Sequence, residues 1–140
     1  MMNKREFFQF CREQERKFSP GFKVVEGAVR MNSNESTRHF ITKAKCMYCL
    51  KWKLGADELQ GTCDKEDFLP NGLIVVGYPK WYSPRVYTEV RVGNNVFDIV
   101  ALTLDGAFVV EVAESEDEAS LKRKERVAIN LGWKFEKIYC

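Results

Sequence analysis

Apolar and polar positions alternate most clearly in the last third of the chain. Val86 to Val92 (VYTEVRV) and Val96 to Thr103 (VFDIVALT) read as strands, and Gly93-Asn94-Asn95 between them is a hairpin signal. Asp105-Gly106 is a second turn signal, and Ala107 to Ala113 (AFVVEVA) is a third strand. Residues 114–131 predict a charged helix ending at Gly132, and Trp133 to Tyr139 (WKFEKIY) a closing strand. Upstream, Phe40, Ala44, Met47, Leu50 and Leu54 recur every three or four residues, which predicts an amphipathic helix over 36–55. Asn34 is its expected cap, Glu35 suits its positive dipole end, and Gly55 suits the position after its last turn. Phe7, Phe8, Phe10 and Cys11 among charged neighbours predict a shorter helix over 3–17, stopped by Ser19-Pro20-Gly21. Residues 22–31 predict a strand or an irregular strand pair. Residues 56–72 are turn-like, 73–77 a short buried strand, and 78–84 (YPKWYSP) an aromatic loop. The order is helix, β-meander, helix, strand, the pattern of an α/β (α+β) domain.

Composition narrows the class without naming a function. A chain of 140 residues predicts one domain, and 45% apolar with 30% charged residues is enough for a real core. Lys plus Arg is 22 and Asp plus Glu is 20, a net charge of +2, so nucleic-acid binding must be argued from local placement. No apolar run approaches the ~18 residues of a membrane span. The start, MMNKREFFQFCREQERKF, lacks the apolar middle of a secretory signal. Five cysteines, an odd number without framework spacing, point to reduced thiols and a cytoplasmic location.

Two carboxylates, Asp98 and Glu111, interrupt the most apolar strands. With Asp105-Gly106 as a two-residue turn, Leu104 faces Ala107, Val100 faces Glu111 and Asp98 faces Ala113. Asp98, Val100, Glu111 and Ala113 then share one face. Asp98 and Glu111 become diagonal neighbours roughly 7–8 Å apart, able to share a divalent cation that Glu89 on the preceding strand can join. The alternative is that each is paired with a Lys or Arg, or faces solvent on an amphipathic sheet. Glu35, His39 and Lys43 fall at i, i+4 and i+8, on a polar face of the first long helix distinct from its apolar stripe. Lys122, Arg123, Lys124 and Arg126 on the last helix, with Lys43, Lys45, Lys51 and Lys53, can grip phosphates or simply be solvated. Tyr78, Trp81 and Tyr82 with Lys80 and Arg85 can stack unpaired bases or pack internally. Cys46 and Cys49 form a lone CxxC inside a helix, with Cys63 and His39 elsewhere; ordinary thiols are the preferred reading over zinc.

Together these segments resemble the PD-(D/E)xK nuclease superfamily, and within it the small competence-associated nucleases. The matching parts are Glu35, His39 and Lys43 on the first helix, TEVRV with Glu89, VFDIVAL with Asp98, VVEVAES with Glu111, and LKRKERVAINLGWKFEKIY. The likeness spans residues 35–140; residues 1–34 form an N-terminal helix and extension outside it, and about 56–84 an insertion. It implies a restriction-endonuclease-like fold, with a central mixed sheet whose three-stranded meander is flanked by helices. It also implies a Mg²⁺- or Mn²⁺-dependent endonuclease acting on DNA, with a homodimer as an option. The implied metal ligands are Asp98, Glu111 and the Val112 carbonyl. Glu35, Lys43 and Lys122 join Asp98 and Glu111 in catalysis, and His39, Lys43, Arg123, Arg126 and Trp81 contact nucleic acid. Glu89 and Ser115, the latter matching the Ser of a Glu-x-Gln-x-Ser variant, are further candidates. Position 113, where the superfamily most often has Lys, is Ala. The expected remedy is a cation from a neighbouring element, Lys43, Lys122 or Arg126. The alternative is a catalytically inactive nucleic-acid-binding module of the same fold, and a third reading is a small structural or interaction protein.

Overall fold

The computed structural model describes residues 2–20, 25–32, 34–52, 79–114 and 118–139. The expectations for Leu54, Gly55, Cys63, Tyr78, Ser115, the turn-like stretch 56–72 and the strand 73–77 lie outside the described residues. The elements are α1 (Lys4–Glu15), α2 (Thr37–Trp52), β1 (Arg85–Val92), β2 (Asn95–Thr103), β3 (Gly106–Ala113), α3 (Glu118–Asn130) and β4 (Lys134–Tyr139). The fold is α+β: a four-stranded mixed sheet in the order β1-β2-β3-β4, flanked by three helices. β1, β2 and β3 are an antiparallel meander, and β4 returns parallel to β3 after α3. Among the described residues no helix is long and apolar enough to cross a membrane.

Each face of the sheet is covered by its own layer. On one, Cys46, Met47, Cys49 and Leu50 of α2 pack on Val86, Ile99, Ala101, Phe108 and Val110. On the other, Phe7 and Cys11 of α1 and Ala128 of α3 pack on Tyr87, Val100, Leu102, Val109 and Trp133. The N-terminal helix is therefore integral to the core. Asn3 and Glu6 close a capping box at its start. At its end Gln14 accepts from the Trp133 indole at 2.8 Å, and Glu15 takes both Arg85 and the Tyr87 hydroxyl. Residues 25–31 form no strand. They run beside β1, with Gly27 N–H bonded to the Val86 carbonyl and the Thr88 hydroxyl bridging Ala28 and Arg30.

The second hairpin corrects the expected register. Thr103 pairs with Gly106 and Ile99 with Val110, so Leu104 and Asp105 make the turn and Gly106, at φ 119, opens β3. The strands slip by two residues relative to a turn centred on Asp105-Gly106. A slip of two keeps every side chain on its face. It does move partners: continuing this register puts Glu111, not Ala113, opposite Asp98.

β1 and β2 contain a second departure from simple alternation. Thr88 pairs with Ile99 and Val90 with Phe97, which leaves Glu89 facing Asp98 between them. Ile99 belongs to the α2 side of the sheet, yet Phe97 and Val90 belong to the α1 and α3 side. The facing of both strands thus reverses across the Glu89/Asp98 step. At this step Glu89 sits at φ 54, in the left-handed region. For a non-glycine residue that conformation costs about 1–3 kcal/mol and persists only where its surroundings enforce it.

Candidate active site

The reversal turns Glu89 and Asp98 toward α2, where Lys43 and His39 meet them. Ser36, not Asn34, caps α2: its hydroxyl accepts the His39 backbone N–H at 3.1 Å and donates to Glu114 at 2.6 Å. Glu35 lies just before the helix and folds back over its first turns. Its carboxylate takes Lys43 Nζ at 2.8 and 2.9 Å, His39 Nδ1 at 2.5 Å and the Asn32 N–H at 3.0 Å. Glu35, His39 and Lys43 do share a face, as their spacing requires, but it is not a separate polar one. Lys43 is fully buried and continues the stripe of Cys46, Met47 and Leu50, while Phe40 and Ala44 of the expected stripe are only half-buried.

Asp98 and Glu111 stand where the β2–β3 ladder stops, one step beyond Ile99 and Val110. Their carboxylates occupy the opening. Asp98 Oδ2 accepts the Val112 N–H at 2.8 Å, and Glu111 Oε1 accepts the Asp98 N–H at 3.2 Å. Glu111 is 0% exposed and Asp98 7%. His39 Nε2 approaches Asp98 to 3.4 Å from one side, and Lys124 of α3 approaches Glu111 to 3.4 Å from the other.

The electrostatics follow from this crowding. Burial, and then the charge of Asp98, push Glu111 well above the usual carboxyl range, against a weaker pull from Lys124. Burial would raise Asp98 too, but hydrogen bonds from His39, Glu111 and the Val112 N–H hold it below its ordinary value. The pair therefore favours one negative charge and one proton, with the proton on Glu111. The Asp98 hydrogen bond, with Glu35 behind the ring, raises His39 to about 9, so the imidazole is a cation at neutral pH. Burial opposes Glu35 ionisation, and Lys43, Asn32 and His39 together outweigh it and hold its carboxyl low.

Beside the pair lies a cleft of about 310 Å³ lined by the carboxylates of Glu35, Glu89, Asp98 and Glu114 and by the cations His39, Arg123 and Lys124. Of the cations expected to substitute for a lysine at position 113, none lines it. Lys43 is enclosed by Glu35 and Glu89, and Lys122 and Arg126 lie on the exposed side of α3. Besides the His39 imidazolium at Asp98, Lys124 is the cation at the acidic pair, on Glu111. Its position on α3 between Lys122 and Arg126 gives no sequence signal to separate it from them. Ala113 is buried and pairs with Tyr139 of β4. Trp81 packs on Phe7 and Tyr82, at the opposite end of the sheet from Asp98, and does not line the cleft. Cys11, Cys46 and Cys49 are buried, and burial pushes the Cys11 thiol up to about 11 and the Cys46 thiol higher.

The donor set suits a hard divalent cation. Two carboxylates in one opening repel each other, and a cation between them relieves the repulsion that a proton on Glu111 otherwise relieves. The Val112 N–H points to Asp98, and in an extended strand the carbonyl of the same residue faces the same edge. Among the described residues no three His, Cys, Asp or Glu side chains gather into a complete metal site. Mg²⁺ commonly keeps only one or two protein carboxylates and fills its shell with water and substrate oxygens. Compared with protein-family models, with curated proteins and with solved structures, the chain matches none.

Proposed function

We propose that this protein is a Mg²⁺- or Mn²⁺-dependent endonuclease of restriction-endonuclease-like fold that hydrolyses phosphodiester bonds in DNA. The observation that carries the reading is the insertion of Asp98 and Glu111 into the end of the β2–β3 ladder, beside a cleft lined by both carboxylates and cations. The order helix, antiparallel meander, helix, parallel strand supports it.

In this reading Asp98, Glu111 and the Val112 carbonyl hold the cation. Mg²⁺ held there would supply Lewis acidity toward the phosphoryl oxygens and the attacking water. The chain's own residues do the rest. Lys124 stands at Glu111, where its ammonium can stabilise charge that builds on the phosphate. Arg123, one residue earlier on the cleft wall, anchors a neighbouring phosphate. His39, held by Glu35 through Nδ1, presents Nε2 to Asp98 and fixes its carboxylate. A base-stacking role for Trp81 forms no part of this reading, because its ring is committed to α1.

Incubating the purified protein with plasmid and single-stranded DNA tests the proposal. Cleavage is expected with Mg²⁺ or Mn²⁺, lost with EDTA, and lost in Asp98→Ala. The second reading is an inactive nucleic-acid-binding module, favoured by the buried Ala113 in place of a lysine. Salt-sensitive DNA binding without cleavage under either metal would support that module and end the enzyme reading.

A further inference from the structure

Glu89 is the one non-glycine residue among those described that takes a positive φ, and it does so in the middle of a strand. Glycine would hold that backbone without steric penalty. Here a glutamate holds it, and its carboxylate is bound by Lys43 Nζ at 2.8 Å. Lys43 is fully buried, and its ammonium is also bound by Glu35. A buried ammonium held by carboxylates from two separate segments cannot shift without leaving a charge unpaired. Lys43 thereby ties β1 to the segment that opens α2.

The step held by this tie is the one at which β1 and β2 reverse their facing. Regular alternation would point Asp98 with Val100 toward α1 and α3, away from His39. We propose that Lys43 and Glu89 are positioning residues, a bracket that enforces the left-handed backbone at Glu89 and so turns Asp98 toward His39 and the cleft. This gives Lys43 a role other than facing phosphate. It rests on the reading of Asp98 as a site residue, but its geometry requires no metal.

The test separates backbone from charge at position 89. Glu89→Gly loses the carboxylate but accepts φ 54 freely; Glu89→Ala loses the carboxylate and keeps the Cβ that makes this backbone unfavourable. His39 is the only histidine, so its imidazole NMR resonances, at fixed pH without metal, report its contact with Asp98. We expect Glu89→Gly to keep these resonances near their wild-type positions and Glu89→Ala to displace them, with both variants folded by circular dichroism. Cleavage by Glu89→Ala should fall by up to ~10²-fold, the scale for a misplaced catalytic group, and Glu89→Gly should recover most of it. The Lys43→Met/Glu89→Gly pair should likewise restore the His39 resonances that Lys43→Met displaces. Identical behaviour of Glu89→Ala and Glu89→Gly overturns the bracket. So does a folded double variant that stays displaced, which would mean that the Lys43 charge itself is required. If the resonances follow the expected pattern but wild-type protein cleaves no DNA, the bracket stands and the nuclease reading alone fails.

Discussion

The same three strands run through two unlike halves of the sheet. Toward the Leu104–Asp105 turn, Ile99, Val100, Ala101 and Leu102 pair regularly with Val110, Val109, Phe108 and Ala107, and every one of these side chains is buried and apolar. Toward the other end the ladder opens, and Glu89, Asp98 and Glu111 meet Lys43, His39 and Lys124. Burial of apolar surface favours folding, whereas burial of paired charges is at best close to neutral. The turn half therefore supplies the stability on which the open half draws. The open half holds an arrangement that folding alone would not select: two buried carboxyl groups that cannot both ionise without repulsion, and a glutamate in a left-handed conformation. Such a division is what the proposed active site would require of the sheet.

The largest effect expected is on chemistry at the open half. Asp98→Ala removes an acceptor of the Val112 N–H and the partner of His39, and should lower metal-dependent cleavage by ~10³-fold or more. Glu111→Gln should do the same to cleavage. Its thermal unfolding without metal should nevertheless be little changed, because Glu111 beside Asp98 already holds a proton and the amide that replaces it is likewise uncharged. A marked loss of melting temperature in Glu111→Gln would mean that the ionised carboxylate stabilises the fold, and the contrast between the halves would fail.

The turn half should answer in the opposite way. Leu102 is fully buried between Arg85 and Ala107 on the α1 side, so Leu102→Ala should lower unfolding free energy by ~2–5 kcal/mol in a denaturant titration. Cleavage below the melting transition should stay within a few-fold of wild type. Loss of activity out of proportion to the folded fraction would show that the halves are coupled.

These halves are not equally legible in the sequence. In the turn half, alternation and turn residues are local signals, and β1, β2, β3 and β4 fall within a residue or so of where those signals put them. The discrepancy there is a register slip of two, since Asp105-Gly106 is a strong hairpin pair while the chain turns on Leu104 and Asp105. Because side chains repeat every two residues, the slip by itself moves no side chain to the other face. In the open half the same rule misleads. Nothing local marks Glu89 for a positive φ, so alternation places Asp98 beside Val100, whereas it turns to α2. Its spacing puts Lys43 on a polar face because lysine is seldom buried, and only the tertiary meeting of Glu35 with Glu89 makes burial tolerable. The role of α1 is invisible for a related reason: its partners Trp133, Arg85 and Tyr87 lie far along the chain.

A smaller effect distinguishes the cations of α3. Lys124→Ala should lower cleavage by ~10²-fold, the scale for losing one group that stabilises developing charge. Ala113→Lys should not compensate, because position 113 is buried against β4 and a lysine there would have to force its ammonium out of the core. Full activity in Lys124→Ala, or a rise in Ala113→Lys, would place the catalytic cation elsewhere.

The smallest effect concerns grip rather than chemistry, and it tests whether the open half extends onto the exposed side of α3. Lys122, Arg123 and Arg126 are all exposed, but Arg123 borders the cleft and the other two do not. Removing a cation that neutralises one phosphate should reduce the slope of log affinity against log salt by ~0.9 for duplex DNA. Arg123→Ala should show that change, with weaker binding across all sequences and little change in turnover at saturating DNA. Arg126→Ala should show less of it. Equal losses from Arg123→Ala and Arg126→Ala, measured by titration at several salt concentrations, would mean that DNA lies along the outer face of α3. The cleft would then be only one edge of a wider surface, and the boundary between the two halves would have to be redrawn to include that face.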